Sequence, residues 1–340
     1  MHRRRNILIF TAIAAAVAAL FCVDIFVGSE MLSFRDVWAA ITGGSDNPVV
    51  DTIVMRWRLP KATVALAAGA ALAASGLQMQ TLFRNPLAGP FVLGVSSGAS
   101  LGVAVFLMGM PLLGLSTAGD VVRNIGIVGA AWIGGAAILL IIMAVSARVK
   151  DIMAILILGM MFGSAATALV EILQYLSPEG NVKSFVVWTM GSLGSVSTQQ
   201  LAILLPVTLA GLLMSIFLIK PLNMLLLGEN YARTMGLNVR MIRGLIFAST
   251  ILLAGTITAF CGPIGFIGIA VPHVARMVFS DADHRILMPG SILLGAAVML
   301  LCDIISQLPG SDMVLPINTI TALLGIPIVI IVIVRNRKIF

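Results

Sequence analysis

The sequence predicts an all-α polytopic membrane protein with about ten transmembrane helices and both termini in the cytoplasm. Three observations carry that prediction. First, 59% of the 340 residues are hydrophobic and 10% are charged, with a mean hydropathy of +1.09. Soluble domains carry roughly 25% charged residues, so this chain lacks the polar side chains to cover a globular surface. Second, the apolar residues gather into ten runs, each near the length of about 20 residues that a span requires. Third, the basic residues are distributed unevenly around those runs. A soluble enzyme, a disordered chain and a secreted disulfide scaffold are excluded. The net charge of +7 and pI near 9.9 do not point to nucleic acid. The basic residues flank apolar runs, where lipid headgroups and membrane orientation account for them.

The runs cover about 7–27, 62–82, 91–110, 122–147, 152–175, 199–219, 243–261, 264–279, 286–306 and 316–334. Arg3, Arg4 and Arg5 precede the first. It exceeds the roughly 7–15 apolar residues of a cleaved signal, and Cys22 follows a bulky Phe21, so it reads as an uncleaved span. Helix is the expected state throughout, because backbone polar groups in lipid need partners within the segment. The apolar/polar alternation of a membrane barrel is lacking. Gly and Pro crowd the third and eighth runs. Residues 1–340 are expected to form one ten-span domain, with a cytoplasmic segment at about 220–240 and a short outer helix at about 185–197.

With the N-terminus inside, fifteen of the 21 Lys and Arg fall on the cytoplasmic side, Lys150, Arg337 and Lys338 among them. The other six, Arg35, Arg56, Arg58, Lys61, Arg123 and Lys183, fall outside. The asymmetry satisfies the positive-inside rule. Arg56, Arg58 and Lys61 nevertheless cluster on the disfavoured side, which points to a task there.

No energy source is visible in the chain. A phosphate-binding P-loop needs Gly directly before its Lys, and the five lysines follow Pro60, Val149, Val182, Ile219 and Arg337. Ion-coupled transport needs ionisable groups deep in the bilayer. Asp24, Glu171, Asp303 and His273 all fall near span ends, where solvent or local caps could satisfy them. Cys22, Cys261 and Cys302 have no metal or disulfide spacing. No metal site, catalytic site or resident cofactor is expected.

Residues 84–102, RNPLAGPFVLGVSSGASLG, break the chain at Asn85-Pro86 and Gly89-Pro90. They then place Gly94, Gly98 and Gly102 on one helix face, a strip that allows close helix approach. This string resembles the FecCD family of ABC-transporter permeases, which import ferric siderophores, haem and cobalamin. Arg58-Leu59-Pro60-Lys61, the WTMGSL stretch from Trp188, LLGENYARTMGL at 226–237, GPIGFIGIAVPHVAR at 262–276 and LPINTITALLGIP at 315–327 are similar to that family in the same order. The resemblance runs from about residue 56 to the C-terminus.

The resemblance implies a non-enzymatic permease subunit of an importer in the cytoplasmic (inner) membrane. Its partners would be a second permease subunit, expected to be identical, two cytoplasmic ATPase subunits that bind the ATP and Mg, and a periplasmic substrate-binding protein. An ion-gradient-driven secondary transporter is the alternative. Gly228, Glu229, Ala232, Arg233, Gly236 and Leu237 are expected to couple to the ATPase, with Tyr231 and Met235 as apolar groups for its groove. Arg56, Arg58 and Lys61 are expected to dock the binding protein. Gln307 stands where the family has a further arginine. Gly159, Gly163, Ser164, Thr167, Asn318, Thr319 and Thr321, small or weakly polar, are expected to line the passage. Asn318 replaces a usual glycine, and Val314 stands where Glu is frequent.

Overall fold

The structure, a computed structural model, describes residues 2–28, 32–44, 47–112, 120–146, 148–149, 151–307 and 313–335. Lys150, Arg337 and Lys338 lie outside the described residues. Every regular element among the described residues is helical. In chain order they are α1 (His2–Phe26), α2 (Phe34–Thr42), α3 (Pro48–Phe83), α4 (Val95–Gly109), α5 (Asp120–Ser146), α6 (Ile152–Leu176) and α7 (Glu179–Thr189). There follow α8 (Thr198–Phe217), α9 (Ile219–Leu226), α10 (Glu229–Thr234), α11 (Val239–Cys261), α12 (Ile267–Phe279), α13 (His284–Ser306) and α14 (Ile317–Arg335).

Seven of the described helices are long and apolar enough to cross a membrane, and α4, α12 and α14 are shorter apolar helices. Together they fall on the ten runs read from the sequence. The two runs crowded by Gly and Pro are short for a visible reason. Before α4, Pro90–Leu93 winds as a 3-10 turn closed by Gly94 at φ 74°. Before α12, Gly262 at φ 77° and Phe266 at φ 65° hold the chain out of helix until Ile267.

Polar residues between the runs set several helix starts by accepting orphan backbone N–H groups. Asp151 accepts from Met153 N at 2.9 Å, Asn238 from Met241 N at 3.1 Å and Asp283 from Arg285 N at 2.8 Å. The Asn238 cap starts α11 at Val239, four residues before the run read from hydropathy. The short helix expected at 185–197 instead runs Glu179–Thr189. Pro178 opens it, and Gly191 at φ 74° turns the chain away after it.

The chain divides into two compact units. One comprises residues 1–77, 192–206 and 264–340, the other residues 78–191 and 207–263. In the first, small residues bring backbones together. A Cβ on Gly69 would strike the Gly295 carbonyl carbon at 2.6 Å, and one on Gly76 would lie 2.6 Å from Gly268 Cα. Here α1 is tied to α12 by Arg5, which donates to the Phe279 carbonyl at 2.7 Å, and by Phe10 and Phe279, whose rings lie 4.7 Å apart.

In the second unit the predicted glycine strip meets two helices. Gly98 and Gly102 face Gly134 and Ala130 of α5, where a Cβ on Gly98 would fall 2.6 Å from the Gly134 oxygen. Gly94 faces Gly159 and Gly163 of α6. A buried polar knot adds hydrogen-bond adhesion within apolar helices. Gln78 donates to Ser215 at 2.5 Å and to Ser249 at 3.1 Å.

Candidate functional site

The segment expected to couple is a short, stiffly mounted helix. Gly228 takes φ 108° ahead of α10, a conformation that side chains avoid. At the other end, Leu237 N donates to the Ala232 carbonyl and Gly236 N to the Arg233 carbonyl, both at 3.0 Å. Gly236 at φ 86° completes this Schellman-type stop. Ala232 is buried as the foot of the helix. Glu229 binds the guanidinium of buried Arg243 on α11, with Nε at 3.1 Å and a shorter bond from Nη2. Arg233 adds a looser contact to Glu229 at 3.7 Å. Arg84, from the RNP break, donates to the Leu226 carbonyl at 3.4 Å. It also lies beside Gly228, where a Cβ would sit 3.4 Å from its Nη1.

This bracing fixes α10 to the start of a span while Tyr231, 56% exposed, and Met235, 42% exposed, face outward. Arg84 and Arg243 were not legible as parts of this site, since both lie outside the local segment. For Arg243 the residue type was the available signal, since a buried arginine requires a partner, whereas Arg84 is exposed and gave none.

The basic cluster is divided by the structure. A seven-residue π-helical stretch, Thr52–Arg58, widens the first turns of α3. Arg58 turns inward and donates to the carbonyls of Ile25 at 3.0 Å and Phe26 at 2.9 Å. It thus caps the C-terminal end of α1, where unpaired carbonyls attract a cation. Lys61 forms an ion pair with Asp303 at 3.0 Å. Arg56 and the neighbouring Trp57 are exposed.

Asp303 belongs to a buried network within this unit. Gln307 donates to Asp24 at 2.9 Å and to Asp303 at 3.3 Å, while the Ser306 hydroxyl donates to the Asp303 backbone carbonyl at 2.8 Å. Asp24 and Asp303 are 3% and 1% exposed. They are therefore packed away from solvent and held by Lys61 and Gln307. His273 is buried as well. Where a sequence reading of Gln307 sees only a lost charge, the structure gives that amide the work of joining α1 to α13.

The residues expected along the passage fall into two sets. Gly159, Gly163, Ser164 and Thr167 all line one groove of about 480 Å³ together with Ser97 and Glu171. Its shape follows from the glycines, since a Cβ on Gly159 would sit 3.0 Å from Leu93 Cα. A smaller cavity of about 250 Å³ shares Ser97, Thr167 and Glu171, and adds Ser96, Ser100 and Gln174. On α14, Thr319 is exposed. Asn318 accepts the Gly265 N–H at 2.9 Å, bracing the irregular turn before α12. Thr321 is buried and donates to the Asn318 carbonyl at 3.1 Å, so its hydroxyl serves packing within α14. Val314 is exposed. Among the described residues no group of His, Cys, Asp and Glu is arranged to hold a metal ion.

Among the described residues, seven helices long enough to span a bilayer and three shorter apolar helices make this a multi-pass membrane protein. The sequence model of the FecCD transport family matches residues 16–335, and the chain belongs to that family. The hemin transport system permease HmuU of Yersinia pestis is 37% identical over 320 residues, covering 92% of this chain and 90% of that one. The vitamin B12 import system permease BtuC of Salmonella paratyphi A is 34% identical over 341 residues, covering 99% and 98%. An inward-facing structure assigned to the metal-chelate type of ABC transporter superposes with a TM-score of 0.83 at 29% identity, covering 96% of this chain and 99% of that one. PsaBC from Streptococcus pneumoniae, at 16% identity and a TM-score of 0.54, shares the fold. The chain is a transport subunit and not an enzyme.

Proposed function

We propose that this permease is the membrane subunit of an ATP-driven importer whose cargo is an iron chelate, a ferric siderophore or haem, or a cobalamin. It pairs with a second permease subunit, expected to be an identical copy. ATP and Mg belong to two ATPase subunits on the cytoplasmic side, and a substrate-binding protein delivers cargo on the other. The charge asymmetry supports cytoplasmic termini and a place in the cytoplasmic membrane. Similarity to haem and vitamin B12 permeases supports the cargo class.

The observation that carries the reading is the mount of α10: a short helix with an exposed Tyr231 and Met235, tied by Glu229 to buried Arg243. An ATPase groove would receive the apolar side chains, and the ion pair would pass its movement into α11. Gly228, Ala232, Gly236 and Leu237 hold the helix, and Arg233 lies on its exposed side. Arg56 is the member of the basic cluster best placed to dock the binding protein. Arg58 and Lys61 would contribute to docking through the shape and field of the surface that they stabilise. The groove beside Gly159, Gly163, Ser164 and Thr167 is assigned to passage, and exposed Thr319 on α14 is a separate candidate. The ion-driven alternative is disfavoured because Asp24 and Asp303 are both engaged by Gln307, and Asp303 by Lys61 as well. Co-purification with the ATPase subunit tests the assignment. Tyr231→Asp with Met235→Asp should abolish co-purification, whereas full retention of the ATPase would refute it.

A further inference from the structure

The chemistry of the α6 groove narrows the cargo class, and this step rests on the importer reading above. Two of its hydroxyls are turned inward. Ser164 donates to the Met160 carbonyl and Thr167 to the Gly163 carbonyl, each at 3.0 Å. Such back-bonding uses the hydroxyl hydrogen, so each presents only oxygen lone pairs to the groove. Glu171, exposed near the C-terminal end of α6, lines both cavities. As a carboxylate it is an acceptor, and among the described residues no donor reaches it. Neither cavity has a Lys, Arg or His among its lining residues. Gln174 offers an amide, and Ser96, Ser97 and Ser100 can rotate either way. The fixed character of the wall is thus acceptor-rich and negative.

We infer that Glu171 is a specificity-determining residue that favours donor-rich, neutral or cationic chelates and slows anionic ones. A cargo edged with amide N–H, hydroxyl or ammonium groups finds partners along this wall. One edged with free carboxylates meets lone pairs and a like charge. The wall selects without trapping, because a single carboxylate supplies its fixed charge.

The test uses the complete importer in proteoliposomes, with loaded binding protein at saturation. Three matched pairs of cargo differ mainly in charge. They are haem and its dimethyl ester, cyanocobalamin and its monocarboxylate, and a ferric tris-hydroxamate with a pendant ammonium and its succinylated form. In whichever pair is carried, the less anionic member should move faster. Glu171→Lys should swing the ratio of rates about tenfold toward the anionic member, the size expected for reversing one charge at roughly 6 Å in a wet groove. Glu171→Gln, similar in shape but uncharged, should give about half that swing on a logarithmic scale. A ratio that moves less than twofold in Glu171→Lys while ATP-driven transport continues would overturn the inference and leave the importer reading intact. Transport of these cargoes that proceeds equally without ATP would overturn the importer reading and this inference with it.

Discussion

Replacing Lys61 by Met should destabilise the protein sharply, through the carboxylate it leaves behind. Asp303 is 1% exposed, and its ion-pair partner Lys61 stands 3.0 Å away with a side chain 19% exposed. Exposed pairs contribute about 0–1 kcal/mol, whereas removing one partner of a buried pair costs about 3–5 kcal/mol because the remaining charge is uncompensated. Gln307 still donates to that carboxylate, so the lower part of the range, about 3 kcal/mol, is expected for Lys61→Met. Removing both charges in Lys61→Met with Asp303→Leu should recover most of the loss, since an apolar replacement of a buried pair is often neutral. Reversible unfolding of the purified permease in mixed micelles, titrated with denaturing detergent, measures all three proteins. Lys61→Met within 1 kcal/mol of the parent would refute the reasoning, because Lys61 would then be behaving as a solvated docking charge.

Three further substitutions probe other parts of the architecture. Gly98→Val should prevent accumulation of folded protein, because its side chain would be driven into the Gly134 backbone; normal yield and melting would contradict the close approach of α4 and α5. Asn318→Ala should cost about 1–3 kcal/mol by leaving the Gly265 N–H without its acceptor, measured by the same unfolding titration. Glu229→Arg should place like charge against Arg243 and reduce ATP-driven uptake at least tenfold while the purified permease still folds, and unchanged uptake would remove Glu229 from the coupling path.

The ten spans were legible because bilayer thickness and hydropathy act locally, one segment at a time. Glycines in the strip from Gly94 to Gly102 announced close packing, although their partners on α5 and α6 could not be named from spacing. What escaped the sequence was long-range pairing. Gln307 and Asp24 are 283 positions apart, and nothing local shows that an amide at one bridges to a carboxylate at the other. The same holds for Arg84, which reaches the Leu226 carbonyl across 142 positions. A general signal existed only for Asp24: a polar group inside an apolar run must find a partner. The outer cluster illustrates the limit. Three basic residues within six positions read as one surface, yet the widened first turns of α3 and the carbonyls ending α1 draw Arg58 inward, and Asp303 draws Lys61. The four α6 residues chosen for smallness and weak polarity did share one groove, because i, i+4 spacing places such residues on a single helix face.

The most direct test of the whole account is uptake into sealed proteoliposomes that contain the permease with or without its ATPase subunits. With binding protein and cargo outside and ATP inside, the account predicts accumulation only when the ATPase is present. A non-hydrolysable nucleotide should stop it, and an ionophore should leave it unchanged. Accumulation by the permease alone, driven by an imposed ion gradient, would contradict the account.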